Sequence, residues 1–193
     1  MKAVILVLVV LLGLGLITGG MYVGRKNQMV VKNETVKSAW SEVDNQLQRR
    51  ADLIPNLVAT VQGYAAQEQT VFHDIAAARS ALMGAGSPQA KIAANGQLDS
   101  ALSRLLVIVE NYPVLKSNEN FMRLQDELAG TENRIAVARN RYNAGIQDYN
   151  TYIGLFPNSI FAKWAGFARN EAYFNAPEAS RTVPKVQFPP PNR

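Results

Sequence analysis

The side chains of this protein best suited to chemistry lie between positions 44 and 73: Asp44, Arg49, Arg50, Asp52, Glu68 and the single histidine, His73. Carboxylates beside arginines can move protons or hold a charged intermediate, and a histidine with a second ligand three or four residues away can bind zinc. The spacing supports neither chemistry. Gln48 to Asp52 and Arg49 to Asp52 fit the neighbour spacing of a helix, whereas Asp44 stands off it from Arg49, which is the pattern of a solvated ion-pair face. His73 has only Gln69 at ligand spacing, and an amide is a poor metal ligand. Cysteine is absent, which excludes disulfides, thiolate metal sites and a cysteine nucleophile. No nucleophile elbow, phosphate loop or dinucleotide fingerprint occurs. The expectation is a chain that is no enzyme, with no catalytic residue, cofactor or metal.

The formal net charge of +5 invites a nucleic-acid reading, which its distribution removes. Lys2, Arg25, Lys26 and Lys32 surround the first apolar segment, and the tail after Phe156 carries most of the remaining excess, while the stretch between is roughly neutral. No basic stripe with interleaved aromatics follows a phosphate backbone, so no nucleic-acid partner is expected.

The elements that position these residues begin with "AVILVLVVLLGLGLITGGMYV", Ala3 to Val23, which holds no charge. About 20 residues at a rise of about 1.5 Å match a bilayer core of about 30 Å. This reads as a transmembrane anchor over residues 1–26. The alternative, a cleaved signal peptide, has a shorter apolar core, for which Val4 to Leu12 is the nearest match. Arg25, Lys26, Lys32 and Lys37 outweigh Lys2 and lean toward a short outside amino terminus and a cytoplasmic body. Gly15 with Gly19, and Gly20 with Gly24, have a spacing that lets neighbouring anchors pack closely.

Beyond the anchor, apolar residues recur at helical spacing from Val36, Trp40, Val43 and Leu47 through Ile54, Val58, Val61, Ala65, Phe72 and Ile75 to Leu82, and "MGAGSP" ends the run. A shorter helix carries Leu98, Leu102, Leu105 and Val109 on one face. After "NYPVLKSNEN" a coiled-coil-like seam runs from Phe121 through Leu124, Leu128, Thr131, Ile135, Ala138, Tyr142, Gly145, Tyr149 and Tyr152 to Phe156. Short polar connections between such helices predict an all-α antiparallel bundle over residues 27–156. Residues 157–193 then supply a short aromatic helix, with Phe161, Trp164 and Phe167, and an extended Pro-rich tail ending in "VQFPPPNR". These aromatics either cap their own bundle or dock on a neighbour.

Pro55 interrupts the first long pattern without turn residues around it. Its ring leaves the carbonyl of Ala51 without a donor, at a cost of about 3 kcal/mol inside a helix. Either Asp52 caps a new helix after a reversal, or Pro55 kinks a near-continuous helix; "NQLQRRA" contains no glycine, which favours the kink.

The stretch "AWSEVDNQLQRRADLIPNLVATVQGYAAQE", Ala39 to Glu68, resembles the signature of the LemA family. The similarity continues through "AAARSAL" at Ala76, "VIVENYPVLKSNENFMRLQDELAGTENRIAVARNRYN" at Val107, "FPNSIFAKWAGF" at Phe156 and "VPKVQF" at Val183, so it spans nearly the whole chain. The resemblance implies a bacterial single-pass protein of the cytoplasmic membrane with a helical soluble part and no established catalytic activity. Some members carry a lipoprotein-type cysteine where the apolar segment ends; this chain has none there, which puts acylation out of reach. Family descriptions place the short amino terminus outside, in agreement with the charge bias, whereas the lipoprotein-like members put the body outside the cytoplasm, which leaves the side open.

Two functions follow as expectations. One is a membrane-anchored scaffold that self-associates through Gly15 and Gly19 and through the stripe Val36, Trp40, Val43 and Leu47, which a helix running on to Leu82 would leave uncovered by its own chain. The other is a monomeric tethered adaptor that binds another membrane or envelope protein through Arg49, Arg50, Asp52 and Pro55, within Arg49 to Asn56, or through the tail with Phe161, Trp164 and Phe167. The partners expected are the lipid bilayer, a second copy and such a protein.

Overall fold

The computed structural model describes residues 1–175, and all regular structure among them is helical. The chain forms α1 (Lys2–Gln62), α2 (Gln69–Gly84), α3 (Pro88–Val109), the single turn α4 (Pro113–Lys116), α5 (Glu119–Gly154) and α6 (Asn158–Ala165). The extended tail expected at the carboxyl end lies outside the described residues apart from its first part, which runs irregularly to Asn175.

One helix carries the apolar run and continues unbroken past position 26 to Gln62. At about 1.5 Å per residue α1 is about 90 Å long. Its first part is long and apolar enough to cross a membrane by length and composition, and none of that window is buried within the protein. Pro55 stands inside α1, so the chain does not reverse at Asp52.

Contacts show the direction of each return. Lys32 meets Asp148, Glu42 meets Arg141, Gln46 meets Arg134 and Arg50 meets Glu132, so α5 descends along α1 as α1 climbs. The helix α2 descends as well, bringing Arg79 to Ala51. The helix α3 climbs again, with Lys91 at Asp44 and Asp99 at Arg50, and delivers Tyr112 to Gln67 at the far end.

Local sequence explains the helix starts. Ser87 accepts a hydrogen bond from the Ala90 N–H while Pro88 occupies the first turn of α3, where its missing donor costs nothing. Asn118 caps α5 by accepting from the amides of Asn120 and Phe121. Gly166 closes α6 with a left-handed φ of 76°, a conformation that a side chain would strain.

The core is continuous and apolar. Val43, Leu47, Ile54 and Val61 of α1, Ile75 and Leu82 of α2, Leu98 and Leu105 of α3, and Ile135, Tyr142 and Ile146 of α5 are all nearly inaccessible. The face predicted for α3, Leu98, Leu102, Leu105 and Val109, is buried throughout. At Gly145 the α5 backbone passes so near α1 that a Cβ there would touch Val36 at 3.7 Å.

Three sequence expectations are corrected. The helical pattern does not run on from Val61 to Leu82: it breaks at Gly63 to Glu68, and α2 turns back. The stripe of Val36, Val43 and Leu47 is not left uncovered, because α5 returns past the far end of α2 and buries all three, with Trp40 half-buried beside them. The seam on α5 ends before Phe156, which is 81% exposed.

Candidate interaction surfaces along the first helix

The two adjacent arginines of the signature have opposite fates. Arg49 faces solvent, while Arg50 points inward and is buried. The Arg50 Nη1 lies 2.5 Å from Asp99 Oδ1 and 2.9 Å from Glu132 Oε2, and donates to Asn95 Oδ1 at 3.2 Å. Asp99 is fixed from its other oxygen by the Asn95 amide at 3.0 Å. Asp99 Oδ1 and Glu132 Oε2 have no aligned hydrogen bond, so their attraction to Arg50 is one of charge rather than geometry. Arg50 thus joins α1 to α3 and α5 at one level of the bundle. A buried cation flanked by two partly exposed carboxylates is a structural hub, since removing it would leave Asp99 unpaired beside Glu132, which would keep only Arg139 at 3.6 Å.

The other candidate groups are engaged separately. Asp44 pairs with Lys91, Asp52 accepts from the Gln48 amide at 3.0 Å, and Glu68 accepts from the Tyr112 hydroxyl at 3.4 Å. His73 is exposed beside Asp74. Among the described residues no group of three or more metal-ligating side chains converges. The structure therefore does not bring the acidic, basic and imidazole groups of the sequence together. Pro55 is exposed on the outer side of α1, next to Asp52 and Asn56. With Arg49 these residues form an exposed strip along α1, bordered at Asn56 by a groove against Asn120, Arg123 and Glu127 of α5.

Past Arg50 and Glu132 lies an apolar groove of about 220 Å³, floored by Leu57 and walled by Leu102, Leu106 and Leu128. It opens because α3 and α5 each pack on α1 or α2 more than on one another.

Nearer the apolar run, two asparagines on α5 hold the segment after α6. Asn150 donates to the Asn170 carbonyl at 2.7 Å and accepts from the Asn170 amide at 2.8 Å. Asn143, two turns up, does the same with Phe174, at 2.8 and 3.0 Å. Each side-chain amide imitates a peptide group, donating to and accepting from the backbone of a single residue of the irregular segment. Between them the Tyr149 hydroxyl donates to the Ala168 carbonyl at 2.9 Å. Phe174 then rests on Trp40, stacked at 6.2 Å, and edge-on to Tyr142 at 6.0 Å, with Arg139 over its ring at 5.0 Å. Burial pushes the Tyr142 phenol above its ordinary range, offset in part by nearby Asn170, and burial does the same to Tyr149. Neither asparagine stands out in the sequence, because asparagine next to an aromatic seam reads as a solvent position.

Of the tail aromatics, Phe161 meets Tyr22 edge-on at 5.9 Å and lies 6.2 Å from Trp164. Both line a shallow cleft with Gly15, Thr18 and Gly19. The Gly15 and Gly19 face thus already borders α6 of the same chain, although a Cβ at either glycine would still meet nothing within 4 Å. Phe167 packs partly buried against the core.

Against known proteins, the family model described as "LemA family" matches residues 39–188. The chain is 29% identical to Magnetosome protein MamQ 1 of Paramagnetospirillum magneticum, over 82% of this chain and 67% of that protein. It is 28% identical to Magnetosome protein MamQ of Magnetospirillum gryphiswaldense, over 82% and 68%. It is 26% identical to Protein LemA of Metamycoplasma hominis, over 83% and 73%.

Proposed function

This chain belongs to the LemA family, and from that premise we propose that it is a non-enzymatic, membrane-anchored helical scaffold: a rigid antiparallel bundle held at the bacterial cytoplasmic membrane to present a surface to another membrane or envelope protein. The observation that carries this reading is the continuity of α1, in which the apolar run and the bundle share one helix with no linker between them. A tether of this kind raises the effective concentration of the bundle toward other membrane proteins, and a stiff one also fixes its approach. The exposed strip of Arg49, Asp52, Pro55 and Asn56 is a part of the signature left facing outward, and we assign it the partner contact.

Self-association is the second reading. The stripe that favoured it in the sequence is covered by α5 within one chain, which supports a single-chain unit; the glycines of the apolar run are what remain to pair two copies. The mass of the full chain in lipid nanodiscs separates the two, with one chain of 21.2 kDa per particle expected. Two or more chains per particle, with photo-crosslinkers at Arg49 and Asn56 yielding only products of twice the chain mass, would overturn the adaptor in favour of the oligomer.

A further inference from the structure

The helix α6 does not sit on top of the bundle. Phe161 and Trp164 stand beside Gly15, Thr18, Gly19 and Tyr22, which belong to the charge-free run that ends at Val23. At about 1.5 Å per residue, Gly15 lies about 12 Å down the helix from Val23. If the run spans the bilayer, any segment touching Gly15 and Gly19 is at or below the headgroup level.

The outward side chains of this region suit that depth. Phe156 is 81% exposed, Trp164 73%, Leu155 58% and Ile160 42%. A contiguous patch of this kind is unusual against water. Tryptophan and phenylalanine are the residues that settle at the boundary between headgroups and acyl chains. Lys163, next to Trp164 on α6, is exposed, with a stem long enough to carry its ammonium up toward lipid phosphates.

We infer that α6 and the turn before it are a second membrane contact, in which Leu155, Phe156, Ile160 and Trp164 enter the boundary of the lipid leaflet alongside α1. This rests on the reading that Ala3 to Val23 crosses the membrane. The bundle is then held at the surface at two places, by the helix that crosses and by the wedge beside it.

Depth-dependent quenching tests the inference, because the chain has only two tryptophans, Trp40 and Trp164. In full-length protein in phosphatidylcholine nanodiscs, W40F isolates Trp164 and W164F isolates Trp40. Lipids brominated near the headgroup should quench Trp164 and blue-shift its emission, and lipids brominated at either depth should leave Trp40 unaffected. Leu12→Trp in the doubly substituted background reports on α1 itself and should be quenched by the deeply brominated lipid. Quenching of the Leu12→Trp form without quenching of Trp164 overturns the second contact and leaves the anchor intact. Absence of both overturns the anchor reading as well. Because W40F alters a packed site, a spin label at Phe156→Cys with both tryptophans retained gives an independent measure. It should be more accessible to oxygen than to a water-soluble nickel chelate; the reverse, or a disulfide-linked dimer of the unlabelled Phe156→Cys protein on mild oxidation, would assign the patch to water or to a second copy.

Discussion

The Arg79 Nε–H on α2 donates at 2.7 Å to the carbonyl of Ala51 on α1, the acceptor that the ring of Pro55 deprives of its backbone donor. Ala51 is fully buried, so the guanidinium takes the place of a missing amide where water does not reach. The proline in mid-helix and the arginine of a separate helix are therefore one device, and α2 is docked at the point where α1 lacks a hydrogen bond.

Removing the donor should expose this dependence. Arg79→Met should destabilise the chain by about 1 to 3 kcal/mol, the cost of an unsatisfied buried carbonyl. In a Pro55→Ala background the restored amide supplies the bond, and the same change should cost clearly less. Thermal melts of the four proteins form a double-mutant cycle; additivity within about 0.5 kcal/mol would show that the two residues are independent.

Arg50 and Arg49 should differ despite being adjacent. Arg50→Met leaves Asp99 without its cation beside Glu132, which keeps only the longer pair with Arg139 at 3.6 Å, and should cost about 2 kcal/mol even after discounting for the partial exposure of both carboxylates. Arg49→Ala should change stability by less than about 0.5 kcal/mol. Equal losses in denaturant titrations would contradict the hub.

The asparagine clamp should be sensitive to chemistry at constant shape. Asn150→Asp keeps the acceptor but removes the donor to the Asn170 carbonyl and the Tyr173 hydroxyl, and places a charge among half-buried groups. The loss expected is about 2 kcal/mol, accompanied by faster proteolysis between Phe167 and Asn175. Unchanged proteolysis would mean that α5 does not hold this segment by hydrogen bonds.

Alkaline pH should loosen the bundle in a way that Tyr142 controls. Burial raises the Tyr142 and Tyr149 phenols in the folded state, while the unfolded phenols titrate near about 10. The unfolded chain therefore loses these protons first, so stability is level below about pH 10 and falls as pH rises beyond it. The Tyr142 hydroxyl is buried without a hydrogen bond, so Tyr142→Phe should be neutral or stabilising by up to about 1 kcal/mol and should blunt the alkaline fall. Tyr149→Phe loses the bond to Ala168 and should cost about 1 kcal/mol at neutral pH. A steeper alkaline fall in Tyr142→Phe, followed by circular dichroism against pH, would refute the assignment.

Much of this arrangement was legible in the residue pattern. The apolar run, the buried face of α3 and most of the α5 seam follow from period and hydropathy alone. The turn at Gly63 to Glu68 was not, because Val61, Ala65, Phe72 and Ile75 keep apolar spacing across it and five of its six residues are acceptable in a helix. What ends α1 there is tertiary: Ala65 is buried, and Gln67 and Glu68 are held by Tyr112 from the turn after α3. Without that turn the pattern points α2 onward along α1 and leaves Val36, Val43 and Leu47 without a cover that they in fact possess. The Arg50 hub is illegible in the sequence for a related reason. Its carboxylates come from residues 99 and 132, and a sequence shows only that Arg50 is charged, not that α3 and α5 bring partners to it. Asn143 and Asn150 were invisible because their role lies in the backbone they touch.

An unbroken α1 makes the azimuth of the bundle a matter of arithmetic. In a helix every residue advances the shaft by about 100° and about 1.5 Å, so the side of the bundle that faces the lipid surface is fixed by how many residues separate Tyr22 from Val36. One residue inserted after Lys26 would swing α5 and α6 a quarter-turn or more around the shaft, while seven would return them to within about 20° of their bearing but about 10 Å higher. Torque applied at the membrane end would reach Arg49 and Asn56 without a joint to absorb it, and the heading of those residues relative to the bilayer is thus written in chain length rather than in any single contact.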